Sequence, residues 1–241
     1  MLTRHVRKAN RFEIKYLVPH AAAVRTIEAL EPYTVPDAHS EGEWGYPIYS
    51  VYWDSPKLHL FWEKIEGLKY RRKLRFRRYG DNPDVFVEIK QRMDRTLQKR
   101  RARISEEEAR ELFGSDPGSA GLTQPDDPVV SEAIVLRHRY QLEPRMAISY
   151  MRRALYGAYD ADLRVTFDRR VQYRASDIDI ARRFDSGPYI VDPRLVIMEV
   201  KYSERVPTWL CKLVSKEGFQ MIRLSKYCTA VDRAYYENSL T

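Results

Sequence analysis

Charged and apolar residues alternate along five short segments of this chain. The segments cover residues 11–15, 73–77, 87–90, 164–168 and 198–201. Because successive side chains of a β-strand point to opposite faces, each segment would present one charged face and one apolar face. One such segment is typical of a surface strand. Five of them favour a sheet that curls around its polar side and packs helices on its apolar side, which predicts a polar tunnel.

The pattern along the rest of the chain predicts an ordered series of strands and helices. We expect strands over residues 11–17, 47–53, 69–78, 84–91, 145–153, 160–170 and 194–202. Helices are expected after Pro19, after Ser55, after Ser105, after Asp127, after Pro207 and after Ser225. A count of seven or eight strands with several helices predicts an α+β fold, a closed antiparallel β-barrel with covering helices.

A loop rich in glycine, proline, serine and aspartate over residues 114–125 is the best candidate for a domain boundary. The alternating pattern occurs on both sides of this loop. Half a barrel would leave charged faces and open strand edges without partners. We therefore expect one domain over residues 1–241, a size at which a barrel is commonly a single domain.

The basic composition predicts an anionic ligand. The chain has 42 lysines and arginines against 34 acidic residues, a net charge of +8, so nucleic acid, acidic lipid and polyphosphorylated molecules are all open. On the predicted charged faces the basic residues outnumber the carboxylates, and desolvated cations need counter-charges. Triphosphate or polyphosphate suits them, because arginine and lysine bind phosphate oxygens. The few carboxylates suit Mg²⁺ or Mn²⁺.

Several other classes of function lack their sequence signals. There is no G-x-S-x-G motif, no Walker-type glycine loop and no histidine pair at metal-ligand spacing. Nucleic acid is not expected, because the positions between the basic residues are mainly aliphatic and should be buried. The first ten residues are polar and no run of about 18 apolar residues occurs, so we expect no secretion signal, no membrane segment and a cytoplasmic location.

Six short motifs, in this order along the chain, carry a family resemblance. They are RFEIKY at 11–16, YSVYWDS at 49–55, KLRFRRYG at 73–80, VEIK at 87–90, EVKY at 199–202 and SKY at 225–227. Together they resemble the VTC domain, the polyphosphate polymerase branch of the triphosphate tunnel metalloenzyme (CYTH-like) superfamily. The resemblance implies an eight-stranded antiparallel tunnel that uses Mn²⁺ or Mg²⁺ to transfer the γ-phosphate of ATP to a polyphosphate chain.

The same resemblance implies roles for individual residues. The phosphate-binding residues of the tunnel wall would be Lys15, Arg75, Arg77, Lys90, Arg152 and Arg164. Glu199 would bind the metal, and Ser225 with Lys226 would contact phosphate, although that pair alone is more typical of a helix N-cap and its neighbour. Additional substrate contacts are expected from Lys99, Tyr150 and Lys201. Arg11 stands where the superfamily usually has a carboxylate, which favours long-chain phosphate over hydrolysis of small triphosphates.

Three functions are open from the sequence. In a metal-dependent polyphosphate polymerase, the basic residues would hold the triphosphate extended while an acceptor oxyanion attacks in line. The second is an inorganic or nucleoside triphosphatase, in which water takes the acceptor position. A third is a non-catalytic polyphosphate-binding module. The expected ligands are ATP, inorganic triphosphate and polyphosphate, and family analogy allows a separately encoded membrane partner.

Overall fold

The computed structural model describes residues 12–40, 42–94, 96–113, 125–179 and 183–236. Arg11 and most of the loop expected as a boundary candidate lie outside these residues. The strands are β1 (Phe12–Pro19), β2 (Thr34–Pro36), β3 (Tyr46–Asp54), β4 (Tyr70–Tyr79), β5 (Val85–Met93), β6 (Thr96–Ile104), β7 (Glu143–Gly157), β8 (Arg164–Arg174) and β9 (Leu195–Tyr202). The α-helices are α1 (His20–Leu30), α2 (His59–Ile65), α3 (Glu106–Phe113), α4 (Pro128–Tyr140), α5 (Thr208–Lys216) and α6 (Lys226–Val231).

The strands belong to one sheet, in which their spatial order differs from their order along the chain. Eight of them follow the hydrogen-bonded order β1-β9-β8-β7-β3-β4-β5-β6, and β2 pairs with β7. The described registers are all antiparallel, which confirms the α+β class and the antiparallel sheet. Within the described part of the chain no hydrogen-bonded pairing joins β1 to β6. Closure into a barrel is therefore not confirmed, and the sheet has nine strands rather than eight.

The chain divides into two compact units, each made of three segments. Unit 1 contains Met1–Tyr46, Met151–Arg170 and Val191–Arg223. Unit 2 contains Pro47–Tyr150, Val171–Ile190 and Leu224–Thr241. Strands β7 and β8 contribute residues to both units. The expectation of a single domain over residues 1–241 stays a prediction.

The core of unit 1 forms where the apolar faces of its strands meet two helices. Helix α1 buries Ala23, Ile27 and Leu30, whose spacing of three to four residues places them on one face. These side chains belong to the same buried cluster as Met198 of β9 and Leu210 of α5. Packing these helices on the apolar face of the strands leaves the charged face of β1 and β9 on the opposite side.

The core of unit 2 follows the same alternation. Leu74 and Phe76 of β4 and Ile89 of β5 are almost fully buried, in one cluster with residues of α3 and α4. Two arginines of β4 are buried on the same side of the strand, and each pairs with a carboxylate of a helix. Arg72 pairs with Glu63 of α2, and Arg78 lies 2.6 Å from Glu106 of α3. These ion pairs offset the cost of burying the guanidinium groups.

Two helix starts carry the capping residues that the sequence predicts. The backbone N–H of Ser105 donates to the Glu108 carboxylate at 2.7 Å, and the backbone N–H of Glu108 donates to the Ser105 hydroxyl at 3.1 Å. This reciprocal pair is the predicted capping box of α3. Asp127 accepts a hydrogen bond from the Val129 backbone N–H at 2.7 Å and caps α4.

Strand β6 is absent from the sequence prediction, which gave no strand to the segment that contains Lys99. Lys99 instead lies within this strand, directly opposite Lys90 of β5. Most side chains of β6 are exposed, four of its nine residues are basic, and only Ala102 and Ile104 are buried. Because β6 lies at the end of the strand order, it does not need the alternation of apolar residues that identifies more buried strands.

The sequence predicts no membrane-spanning segment, and the six α-helices that the structure describes can be compared with the length of a bilayer-spanning helix. None of them is both long enough and apolar enough to cross a bilayer, within the residues described.

Candidate active site

The buried carboxylate of Glu88 organises a cluster of basic residues in unit 2. Glu88 of β5 stands directly opposite Arg75 of β4 and Arg101 of β6 in the strand registers. Its carboxylate accepts the Arg75 Nε hydrogen bond at 2.6 Å, and Lys99 Nζ lies 3.0 Å away. Burial opposes ionisation of Glu88, but the charges of Arg75, Arg77 and Lys99 outweigh it and hold its pKa well below the usual range. Glu88 therefore stays charged and fixes these cations.

Polar side chains of β3 and β7 orient the two arginines of β4. The β3–β4 register places Tyr52 opposite Arg75 and Ser50 opposite Arg77. Arg75 donates to the Tyr52 hydroxyl at 3.2 Å, and Arg77 donates to the Ser50 hydroxyl at 3.0 Å. A second hydrogen bond runs from Arg77 to the Tyr150 hydroxyl at 3.2 Å. Both guanidinium groups are thus held by several partners at once, which limits their rotamers.

The cations of unit 2 also act on a tyrosine. Burial alone would raise the pKa of Tyr52, but Arg75, Arg77 and Lys73 lower it to about 8. The shift reports a strongly positive environment, because nearby cations stabilise the phenolate form.

The predicted Ser225–Lys226 pair lies in unit 2 at the start of α6. Ser225 caps the helix by accepting from the Cys228 backbone N–H at 3.4 Å, and its hydroxyl also accepts from Lys73 Nζ at 3.0 Å. Lys226 Nζ lies 5.0 Å from the centre of the Tyr150 ring, within cation–π range. The pair is therefore an N-cap and its neighbour, in contact with residues from β4 and β7.

Lys90 completes the predicted set of unit 2. It stands between Lys73 of β4 and Lys99 of β6 in the strand registers and is exposed. Lys90 and Glu88 lie two positions apart on β5, so their side chains share one face. The predicted residues that the structure places in unit 2 are Arg75, Arg77, Lys90, Lys99, Tyr150, Ser225 and Lys226.

The predicted residues of unit 1 form a second charged cluster on β1, β8 and β9. Lys15 stands opposite Glu199, and Lys201 stands between Glu13 and Arg164 in the registers. Lys15 Nζ lies 3.2 Å from Glu13 and 3.4 Å from Glu199. Lys201 Nζ lies 3.6 Å from Glu13 and 3.3 Å from Glu199. Two ammonium groups and two carboxylates thus alternate on one face of the strands.

The two arginines predicted for unit 1 each pair with an aspartate. Arg152 donates to both carboxylate oxygens of Asp168 at 2.6 Å, and Asp168 is fully buried. The same guanidinium lies 3.8 Å from Glu199, which links it to the lysine cluster. Arg164 lies 3.6 Å from Asp37. Unit 1 therefore contains Lys15, Arg152, Arg164, Glu199 and Lys201, and each of these cations has a carboxylate nearby.

The donors around Glu199 can be compared with the needs of a divalent cation. Glu13 and Glu199 approach the same two ammonium groups, so their oxygens occupy one neighbourhood. The described residues contain no group of three or more histidine, cysteine, aspartate or glutamate side chains suited to a metal. Mg²⁺ commonly takes one or two carboxylates and completes its shell with phosphate and water oxygens. Glu199 with Glu13 fits that requirement.

Sequence reasoning missed several residues that hold the predicted ones. Ser50, Tyr52 and Asp54 occupy alternate positions of β3, and Ser50 and Tyr52 accept hydrogen bonds from the β4 arginines. The sequence feature that could have identified them is the alternation of side chains along β3, which places these three side chains on one face. The pairing of Glu88 with Arg75 depends on the strand register, which the alternation alone does not fix.

Comparison with known proteins gives the same family for nearly the whole chain. A family model described as the VTC domain matches residues 10–235. Vacuolar transporter chaperone complex subunit 4 of Trypanosoma cruzi is 22% identical over 254 residues, covering 90% of this chain and 31% of the relative. The chain thus spans about a third of the length of that curated relative.

A solved structure shares the fold of this chain at low sequence identity. The protein HpAC1 of Hippeastrum, an adenylyl cyclase candidate with a dominant triphosphatase activity, superposes with a TM-score of 0.50 at 14% identity, covering 92% of this chain and 96% of its own. An adenylate cyclase candidate of Vibrio parahaemolyticus has a TM-score of 0.48 at 12% identity, covering 92% and 98%. The family match over residues 10–235 decides the assignment, and this chain belongs to the VTC domain family.

Proposed function

We propose that this chain is a metal-dependent polyphosphate polymerase that transfers the γ-phosphate of ATP to a polyphosphate chain. The observation that carries the proposal is the cluster of unit 2, in which Arg75, Lys99 and Arg101 share the single carboxylate of Glu88. Cations in such an arrangement favour a multiply charged anion. Membership of the VTC family and the similarity to a vacuolar transporter chaperone subunit support polyphosphate as that anion.

The proposed transfer needs positioning and charge neutralisation rather than a covalent intermediate. A terminal phosphate oxygen of the acceptor attacks the γ-phosphorus, the bond to the bridging oxygen breaks, and ADP leaves. Arg75 and Arg77 neutralise the charge on the transferring phosphoryl group, since both guanidinium groups are already oriented by hydrogen bonds. Lys226 binds the phosphate chain. Glu199 and Glu13 would hold a divalent cation, which would supply charge neutralisation to bound phosphate.

In this proposal the remaining predicted cations also bind phosphate oxygens. They are Lys15, Lys90, Lys99, Arg152, Arg164 and Lys201. The proposal also keeps ATP, inorganic triphosphate and polyphosphate as ligands, a cytoplasmic location with access to ATP, and a separately encoded membrane partner.

A triphosphatase is the second candidate function. The fold likeness to HpAC1, a protein with a dominant triphosphatase activity, favours it. The chemistry at the γ-phosphorus would be the same, with water in place of the phosphate acceptor.

One assay separates these functions. The protein is incubated with ATP and Mn²⁺ or Mg²⁺, and polyphosphate on gels, ADP and free phosphate are all quantified. Formation of long polyphosphate chains together with ADP would support the polymerase. Formation of ADP and free phosphate without such chains would contradict it and support the triphosphatase. If ATP is not consumed, neither enzymatic function holds, and a non-catalytic polyphosphate-binding module is the function that agrees with the result. Arg77→Ala should abolish either product, and Arg100→Ala, whose guanidinium pairs with Glu132, controls for the loss of one positive charge.

A further inference from the structure

Asp54 at the end of β3 is fully buried and joins two helices of unit 2. Its Oδ1 accepts from the backbone N–H groups of Ser55 at 2.7 Å and Leu60 at 2.8 Å. Its Oδ2 accepts from the Phe61 backbone N–H at 2.9 Å and from the Tyr227 hydroxyl at 2.6 Å. Three of these donors belong to the turn before α2 and its first residues, and the fourth belongs to α6. The carboxylate thus fixes α6 against the end of β3.

Tyr227 has a second anchor on the same strand. It is almost fully buried, and its ring stacks on Tyr52 with centroids 5.1 Å apart and planes 14° apart. Burial raises the pKa of Tyr227, and the charge of Asp54 raises it further. The phenol therefore keeps its proton and remains a donor to Asp54.

These two anchors act on a short helix whose position depends on its tertiary contacts. Helix α6 has six residues, and helices this short are marginal without tertiary contacts. Tyr227 directly follows Ser225 and Lys226 in the chain. The placement of the Ser225 hydroxyl against Lys73 and of Lys226 against Tyr150 thus depends on where Tyr227 is held.

We propose that Asp54 and Tyr227 are positioning residues that hold Ser225 and Lys226 in place for the phosphate chain. The proposal rests on the proposed function. Neither residue needs to touch the phosphate chain. Asp54 is occupied by its four donors, and Tyr227 donates its hydroxyl proton to Asp54.

The test removes one hydroxyl and measures binding. Tyr227→Phe keeps the ring and its stacking on Tyr52 but loses the hydrogen bond to Asp54. Binding of inorganic tripolyphosphate is measured by calorimetry in EDTA, where no turnover occurs. We expect the Kd to rise about tenfold, because hydrogen bonds to charged groups are among the stronger ones. Tyr235→Phe is the matched control: it loses a hydroxyl that donates to the Arg145 carbonyl at 3.4 Å and should change the Kd less than about twofold.

A double-mutant cycle distinguishes positioning from a general loss of structure. If Tyr227 acts through Lys226, Tyr227→Phe should weaken binding by less than about twofold in a Lys226→Ala background. The same loss of affinity with and without Lys226 would overturn the proposal, as would unchanged affinity in Tyr227→Phe alone. If Tyr227→Phe does not fold, Asp54→Asn replaces it in the same cycle, because the amide keeps an oxygen for the Ser55 and Leu60 backbone donors but removes the acceptor of the Tyr227 hydroxyl.

The wild-type measurement separates this proposal from the proposed function. No binding of tripolyphosphate by the wild-type protein would overturn both. Binding by the wild type without coupling between Tyr227 and Lys226 would overturn the positioning role and leave the proposed function standing.

Discussion

The charged clusters of the two units differ in how their cations are balanced. In unit 1, four cations lie near four carboxylates, and the contacts include the bidentate pair of Arg152 with Asp168 and a network in which two lysines share two glutamates. In unit 2, three cations share the one carboxylate of Glu88, and the charge of Arg77 acts on it as well. Both clusters arise from the same alternation of charged and apolar residues. Register alone decides which charges face each other.

This difference suggests that the two units suit ligands of opposite charge. The carboxylates of unit 1 stabilise its arginines and lysines and include the oxygen donors that suit a divalent cation. In unit 2 Arg75 shares the Glu88 carboxylate with two other cations, and hydroxyl groups orient Arg75 and Arg77 without cancelling their charge. Unit 2 is therefore the better place for an anion. Unit 1 should be sensitive to the loss of a carboxylate, and unit 2 to the loss of a cation.

The largest expected effect is on the stability of unit 1. Asp168→Asn leaves the buried Arg152 guanidinium without its bidentate partner and with Glu199 only at 3.8 Å, so we expect the free energy of unfolding to fall by about 3 kcal/mol. Glu132→Gln breaks a partly exposed pair with Arg100 and should change it by less than about 0.5 kcal/mol. Urea unfolding followed by circular dichroism measures both. Equal small losses in the two variants would mean that charge pairing does not stabilise unit 1.

The next effect tests the anion preference of unit 2. Arg75→Ala removes a guanidinium held by Glu88 and Tyr52, and both turnover and affinity for tripolyphosphate should fall at least tenfold, or about 1.4 kcal/mol. Lys99 and Arg101 still accompany Glu88, so the fold should persist. Arg100→Ala in β6 serves as the matched control and should retain affinity. Near wild-type values for Arg75→Ala would contradict the assignment of this cluster as the anion site.

A third variant pair compares the carboxylates of the two units. Glu199→Gln should lower turnover and raise the Mn²⁺ concentration for half-maximal turnover at least about tenfold, because an amide is a poorer ligand for a hard cation. Glu88→Gln should leave that Mn²⁺ concentration unchanged, whatever its effect on turnover. Turnover is measured over a range of Mn²⁺ concentrations. An equal shift in both variants would show that the metal does not distinguish the two carboxylates.

The sequence predicted the faces of the strands better than their partners. Alternation is a local property, so it placed Lys73, Arg75 and Arg77 correctly on one face of β4. It could not show that Arg75 meets Glu88, because this contact depends on a register between strands that neither segment encodes alone.

Two features of the site had weak sequence signals for different physical reasons. Strand β6 at the end of the order is exposed and basic, so Lys99 lay in a segment without apolar alternation. Asp54 ends an aromatic strand, and its role arises from donors 1, 6, 7 and 173 residues away in the chain. A carboxylate that gathers such distant donors cannot be distinguished from a turn residue by local pattern.

The smallest expected effect is spectroscopic and compares one tyrosine in each unit. Nearby cations lower the pKa of Tyr52 in unit 2 to about 8, whereas burial raises the pKa of Tyr16 in unit 1. The difference in tyrosinate absorbance between the wild type and Tyr52→Phe should therefore show a transition near pH 8. Tripolyphosphate should raise that pKa toward about 10, because a bound anion neutralises the cations that favour the phenolate.

Arg75→Ala should raise the same Tyr52 pKa without any ligand, since it removes the nearest cation. Tyr16→Phe is the control for unit 1, and its difference spectrum should show no transition near pH 8 with or without the anion. A Tyr52 transition that does not move when tripolyphosphate is added would place the bound anion away from Arg75. Since that measurement needs neither turnover nor metal, it tests the contrast between the two clusters independently of the reaction that either one supports.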